Sequence, residues 1–138
     1  MREHVATEKS FVPSLKWLLT ARDIKSKSPS HLARFLADYW EGLRLCMPTA
    51  FETPRSYLIQ KTPGFMAFHR LAPLIYRKTR HKKRSVATFK RIFNVFLDNK
   101  NYGAEFWYGR NMEGAKKYGT GQSAYTNLAM ELRKKLKI

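Results

Sequence analysis

The sequence is poor in acidic residues and has a single cysteine. Only 10 of its 138 residues are Asp or Glu, against 27 Lys or Arg, and the net charge is therefore +17. Cys46 has no partner for an internal disulfide, which excludes a disulfide-stapled secreted scaffold. No apolar run approaches the roughly 20 residues of a membrane-spanning helix, and the first residues, MREHVATEKS, lack the apolar region of a secretory signal. We therefore expect a cytoplasmic protein.

Signatures of catalysis and of metal binding are also missing. Paired carboxylates are scarce in the sequence, and it contains no Gly-x-Ser-x-Gly and no Cys/His signature. The residues that commonly bind metals are isolated: His4, His31, His69, His81 and Cys46. We predict no metal, no other cofactor and no enzymatic activity. His69 lies among apolar residues and is interpreted as a core histidine, whereas the alternative, a nuclease, would depend on His69 or Asp98.

Apolar residues are plentiful enough for one folded core. Hydrophobic residues make up 43% of the chain and aromatic residues 14%, which is above the range of disordered chains. The length suits one domain but not two independent cores. Apolar residues recur at helical spacing, without strand alternation or internal repeats. The sequence predicts an all-α, compact single-domain bundle over residues 1–138, with about five helices, irregular connections and a flexible N-terminus at residues 1–9.

Five segments combine helical periodicity with start or stop signals. They are residues 10–22, 28–47, 62–76, 85–97 and 123–135. Three of them begin with a predicted N-cap: Ser28, Thr62 and Ser85. After the first two caps a proline follows, at the position where its missing N–H costs least. We expect Pro48 to end the second helix, Gly103 to follow the end of the fourth, and Pro73 to kink the third or end its first part.

The remaining segments are predicted to be connections. Residues 49–60 have too short an apolar pattern for a helix or strand. Residues 103–121 contain five glycines and are predicted to form an ordered irregular segment or short helical turns. Gly119 and Gly121 precede a helix, but their spacing fits neither a P-loop nor a dinucleotide fingerprint. A flexible turn is therefore favoured there over a phosphate site.

The strongest chemical signal is the basic segment YRKTRHKKRSVATFKR, residues 76–91. Its cations are Arg77, Lys78, Arg80, Lys82, Lys83, Arg84, Lys90 and Arg91. Residues 70–138 hold 17 basic and 4 acidic residues, against 10 and 6 in residues 1–69. Such cations bind phosphates and release counterions without reading base sequence. We predict nucleic-acid binding by this segment, with DNA as the partner; the alternative is the acidic surface of a partner protein.

A second basic feature is the helix start QKTPGF, residues 60–65. Helix N-termini attract phosphate through their unpaired N–H groups and the helix dipole. Lys61, Thr62 and Gly64 are therefore predicted to make a secondary phosphate contact, beside the capping role of Thr62 and Pro63.

The stretch from Phe35 to Leu71 also carries a family resemblance. It combines these features: Tyr39 and Trp40 on a helix, Pro48, Phe51, Tyr57 and QKTPGF. In this combination it resembles the C-terminal part of DGQHR-domain proteins, relatives of the DndB-like proteins of DNA phosphorothioate-modification systems. The resemblance implies a helical module, DNA association and a role in regulating a DNA-modification or phage-defence locus.

The motif that names this family is absent. Asp-Gly-Gln-His-Arg belongs to an N-terminal region that resembles the ParB-like nuclease fold, and here MAF precedes His69 and Arg70. The resemblance thus implies the helical module without the part to which catalysis is assigned. The predicted function is a nucleic-acid-binding or accessory module. The alternative is a protein-interaction module for an acidic partner or a separately encoded catalytic subunit.

Overall fold

The computed structural model describes residues 13–97 and 103–138, and the predicted flexible N-terminus at residues 1–9 lies outside this range. The described residues form six α-helices: α1 Lys16–Leu19, α2 Pro29–Cys46, α3 Pro48–Glu52, α4 Thr62–Lys78, α5 Val86–Phe93 and α6 Gln122–Leu136. Four 3₁₀ turns lie in the connections: Pro54–Ser56, Asn94–Phe96, Ala104–Trp107 and Ala115–Tyr118. The only β-type pairing among these residues is an isolated bridge between Tyr57 and Tyr108. The all-α prediction is confirmed.

Helix α2 begins where the sequence predicts. Ser28 Oγ accepts a hydrogen bond from the His31 backbone N–H at 3.2 Å, and Pro29 is the first helical residue. The helix ends at Cys46. Pro48 then opens α3 directly, so the segment predicted to be a connection begins with a helical turn. The reason is that proline suits the first position of a helix as well as it stops the preceding one.

The start of α4 is shifted by one residue from the prediction. Lys61 occupies the N-cap position, and Thr62 is the first helical residue rather than the cap. Pro73 does not end α4, which continues to Lys78. A proline inside a helix costs about 3 kcal/mol, and tertiary burial offsets this cost because 10 of the 17 residues of α4 are buried.

Three helices share an aromatic core. Tyr39 on α2 donates a hydrogen bond from its hydroxyl to the Phe68 carbonyl of α4 at 2.5 Å. The rings of Tyr39 and Phe68 each meet Phe93 of α5 edge to face. Gly42 allows α2 and α5 to approach closely, since a Cβ there would lie 2.8 Å from Phe89 Cβ. Helices α1 and α6 pack on α4 and complete the bundle.

Helices α5 and α6 each bury an apolar face. On the fourth predicted helix, the buried residues are Phe89, Phe93 and Phe96. Leu97 is 48% exposed, because the 3₁₀ turn Asn94–Phe96 takes the chain out of α-helical register. On α6, Leu128, Ala129 and Leu132 are buried. In the part of the chain described here, no helix has the length and apolar character to cross a membrane.

Candidate functional site

The basic residues concentrate in a long stretch without any carboxylate. Between Glu52 and Asp98 the sequence holds 11 Lys or Arg and no Asp or Glu. Helix α4 runs through this stretch and has one group of its cations at each end: Arg55 and Lys61 lie at the N-terminal end, the eight cations from Arg77 onward lie at the C-terminal end, and Arg70 lies within the helix. At about 1.5 Å per residue, the 17 residues of α4 place these groups roughly 25 Å apart.

The first group, which we call the basic face, follows the C-terminal end of α4. It comprises the exposed cations of the predicted segment: Arg77, Lys78, Arg80, Lys82, Lys83, Lys90 and Arg91. Lys90 and Arg91 lie on the outer surface of α5, whose inner surface is buried through Phe89 and Phe93. The hydroxyl of Thr88 donates to the Lys83 carbonyl at 2.6 Å and ties the connecting loop to the first turn of α5.

Arg84, the eighth predicted cation, is half-buried and differs from the other seven. Its guanidinium lies 3.6 Å from the centre of the Tyr76 ring. It donates to the Tyr76 carbonyl at 2.8 Å and to Thr79 Oγ1 at 3.1 Å. Because the last carbonyls of a helix lack partners within the helix, Arg84 closes the C-terminal end of α4. Its main contacts are therefore inside the protein.

Arg77 also has a protein partner, but it keeps an exposed side chain. Its Nε lies 2.9 Å from Asp23 Oδ2, and both side chains are about half exposed to solvent. An exposed ion pair of this kind contributes little to stability and exchanges readily with competing anions. Arg77 is therefore compatible with a phosphate contact.

The second group, the basic cleft, lies at the N-terminal end of α4. It is an open cleft of about 860 Å³ whose lining includes four cations: Arg55, Lys61, Arg110 and Lys116. No acidic residue is among the residues that line it. Lys61 Nζ donates to the Arg55 carbonyl at 2.5 Å, which holds the ammonium group at one wall.

Backbone hydrogen bonds fix the walls of the basic cleft. The Leu58 N–H donates to the Trp107 carbonyl at 2.7 Å, and the Gly109 N–H donates to the Ser56 carbonyl at 2.8 Å. A side chain at Gly109 would be crowded, since its Cβ would lie 3.2 Å from the Ser56 carbonyl oxygen. The two segments are therefore held at a fixed separation before any ligand arrives.

The predicted phosphate contact of the helix start is corrected at Gly64. Its backbone N–H already donates to the Leu58 carbonyl at 3.2 Å, and the residue is buried. A Cβ at this position would lie 1.8 Å from the Ile59 carbonyl oxygen, so glycine is required for close packing. Of the predicted trio, Lys61 lines the basic cleft, whereas Thr62 is not among its lining residues.

The sequence did not indicate the remaining cations of the basic cleft. Arg55, Arg110 and Lys116 are separated by up to 61 positions in the chain and stand outside any basic run. They converge because residues 55–58 pair with residues 107–110 through a β-bridge. Neither segment shows the alternating apolar pattern by which a strand is predicted. No local sequence pattern predicts such a pairing.

His69 belongs to a buried hydrogen-bond network. Trp40 Nε1 donates to His69 Nε2 at 2.9 Å, and His69 Nδ1 lies 2.8 Å from Ser14 Oγ. An indole N–H only donates, so the ring proton is on Nδ1 and is directed at Ser14. The ring is fully buried, and this burial lowers the pKa of His69 to about 4.

This geometry favours the interpretation of His69 as a core residue. A general base needs a ring nitrogen that can accept a proton from a substrate, and here Nε2 already accepts from Trp40. Asp98, the other residue of the nuclease alternative, lies outside the described residues.

Comparisons with known proteins give no further assignment. No protein-family model, no curated protein and no solved structure matches this chain. The resemblance to DGQHR-domain proteins thus stays a prediction from the sequence. Within residues 13–97 and 103–138, no three His, Cys, Asp or Glu side chains are grouped so that they could hold a metal ion. The basic face and the basic cleft are therefore the candidate functional sites of the described residues.

Proposed function

We propose that this protein binds the phosphate backbone of duplex DNA through the basic face, without reading base sequence. The observation that carries the proposal is the set of seven exposed cations on the end of α4, the following loop and the outer surface of α5. No carboxylate occurs in the sequence from Thr53 to Leu97, and Asp23, from outside this stretch, pairs with Arg77. Phosphate contacts of this type supply most of the sequence-independent affinity for DNA.

The dimensions of the basic face suit a duplex. The eight residues of α5 extend about 12 Å, and a duplex carries one charge for roughly every 1.7 Å of its axis. Counted over both strands, about seven phosphates therefore fall within the length of α5. Arg84 stabilises this surface from the protein side. Its contacts with Tyr76 and Thr79 fix the loop that carries Arg80, Lys82 and Lys83.

The biological setting of this proposal comes from the sequence resemblance. Residues 35–71 resemble the C-terminal part of DGQHR-domain proteins, which associates the chain with DNA modification and phage defence. Because the Asp-Gly-Gln-His-Arg motif is absent, the corresponding role is that of an accessory module and not of a catalyst.

Mobility shifts of several unrelated duplexes over a salt series test the proposal. At about 50 mM salt all duplexes should bind with similar affinity, and the logarithm of the binding constant should fall with that of the salt concentration with a slope between about −3 and −6. Absence of binding at about 50 mM salt, with the fold confirmed by circular dichroism, would refute the proposal.

An acidic protein partner is the second candidate function, and one surface favours it. Trp17 and Met130 are 47% and 55% exposed beside a groove that is also lined by Arg70 and Arg133. Exposed apolar residues with basic neighbours are typical of surfaces that bind proteins. Affinity capture that survives nuclease treatment and is lost in a Trp17→Ser/Met130→Ser variant would favour this candidate over DNA binding.

A further inference from the structure

The basic cleft has the properties of a small-ligand site. Its volume of about 860 Å³ lies within the roughly 300–1,000 Å³ of typical ligand pockets. Its walls are joined by the backbone hydrogen bonds between residues 56–58 and 107–109. A site that is rigid before binding avoids the cost of ordering its walls around a ligand.

The charges of the basic cleft are suited to phosphate. Its four cations come from two separate parts of the chain: Arg55 and Lys61 from one, Arg110 and Lys116 from the other. Lys61 uses one of its three N–H donors on the Arg55 carbonyl, and the other two remain for a ligand. Arg110 is exposed and carries a guanidinium that can contact two phosphate oxygens at once. The site is thus built for an anion with several oxygens.

An apolar and aromatic surface lies in the same cleft. Leu58, Pro63 and Tyr108 contribute to its lining. The Tyr108 ring is half-buried and packs against Tyr57 with ring centres 5.5 Å apart, which fixes its orientation. Flat apolar groups such as nucleobases stack on rings of this kind. A ligand with phosphate at one end and an aromatic ring at the other would use both surfaces.

We infer that the basic cleft binds a nucleotide, with its phosphates on the four cations and its base against Leu58 and Tyr108. The same chemistry is offered by a free nucleotide and by the 5′-phosphorylated end of a nucleic-acid strand. This site goes beyond the proposed function, because the basic face lies at the other end of α4.

Isothermal titration calorimetry at low salt tests this inference with ADP, adenosine and inorganic phosphate. ADP should bind saturably, and adenosine and phosphate should each bind at least about tenfold more weakly, since each lacks one half of the contacts. A trinucleotide with or without a 5′-phosphate forms the second arm. Tighter binding of the phosphorylated trinucleotide than of ADP would identify a strand end as the ligand, and the reverse order a free nucleotide.

Two double variants separate the basic cleft from general charge effects. Arg110→Gln/Lys116→Gln removes two exposed cleft cations and should weaken ADP binding at least about tenfold. Lys82→Gln/Lys83→Gln removes the same charge from the basic face and should leave ADP affinity within about twofold. Circular dichroism confirms that both variants are folded. Failure of both ADP and the phosphorylated trinucleotide to bind, equal affinity for ADP and phosphate, or equal weakening by both variants would overturn the inference.

Discussion

The basic face and the basic cleft occupy opposite ends of α4 and differ in how their cations are held. In the basic face, the cations follow one another in the sequence and protrude from the end of α4, the following loop and α5. In the basic cleft, they come from residues far apart in the chain, and backbone hydrogen bonds fix the concave surface between them. The first arrangement suits an extended polyanion, and the second suits a compact one.

The difference also shows which residues each surface depends on. The basic face depends on one side chain, Arg84, which anchors its loop to the end of α4. The basic cleft depends on close backbone packing, which Gly64 and Gly109 permit. Substitutions at these positions should therefore damage one surface and spare the other.

The largest effect is expected for Gly64→Ala. The added Cβ would lie 1.8 Å from the Ile59 carbonyl oxygen, so the start of α4 must move away from the wall of the basic cleft. We expect a loss of at least about 4 kcal/mol in the free energy of unfolding, because the obstacle is backbone and cannot rotate aside. Urea denaturation provides the measurement.

Gly109→Ala is the matched control for this substitution. Its Cβ would lie 3.2 Å from the Ser56 carbonyl oxygen, a contact that a small shift relieves. We expect a cost of about 1 kcal/mol. Equal costs at the two positions would contradict the close packing described for Gly64.

A smaller effect on the free energy of unfolding is expected from pH. It acts through His69, which lies in α4 between the two surfaces. Burial lowers the pKa of His69 from 6.5 to about 4. Between these values the unfolded chain binds more protons than the folded protein, so stability falls as the pH falls from about 6.5 to about 4. A shift of this size corresponds to a loss of roughly 3 kcal/mol.

Urea denaturation at pH 7 and pH 4.5 measures this contribution. His69→Gln should be less stable at pH 7, because it alters the network with Ser14 and Trp40, but its stability should change less between the two pH values. An identical pH dependence in the variant and in the original protein would show that His69 is not the group that titrates.

A smaller effect on stability than that of pH is expected for Arg84→Ala, which should loosen the basic face alone. Loss of the cation–π contact with Tyr76 and of two hydrogen bonds should cost about 1–2 kcal/mol. Amide hydrogen exchange should become faster in residues 79–85 and not in residues 55–58. Arg84→Lys keeps the charge and should be destabilised to a similar degree; full stability of this variant would assign Arg84 to the surface charge only.

The sequence predicts the features that depend on neighbouring residues. Ser28 and Ser85 cap their helices as expected, since an N-cap acts within three residues. The cations of the basic face were identified for the same reason, because they form one run. Local patterns did not reveal that the Arg84 side chain points into the protein. It binds the Tyr76 carbonyl, which can accept this hydrogen bond because α4 ends nearby.

Features that depend on packing beyond the helical pattern were missed. The prediction treated Gly64 as a donor to phosphate, but its N–H binds the Leu58 carbonyl within the fold. The prediction also allowed Pro73 to end α4, but the helix continues past Pro73 because most of its residues are buried. The basic cleft was represented only by Lys61, because the bridge between Tyr57 and Tyr108 joins segments about 50 residues apart.

The most direct test of the account compares the salt dependence of duplex binding in three proteins. Fluorescence anisotropy of a labelled duplex gives the slope for the original protein, for Lys82→Ala/Lys83→Ala and for Arg110→Ala/Lys116→Ala. If the basic face carries duplex binding, the first variant should reduce the magnitude of the slope by about 1.8, at roughly 0.9 for each lost phosphate contact, and the second should leave it unchanged. An unchanged slope in the first variant together with a reduced slope in the second would contradict the account.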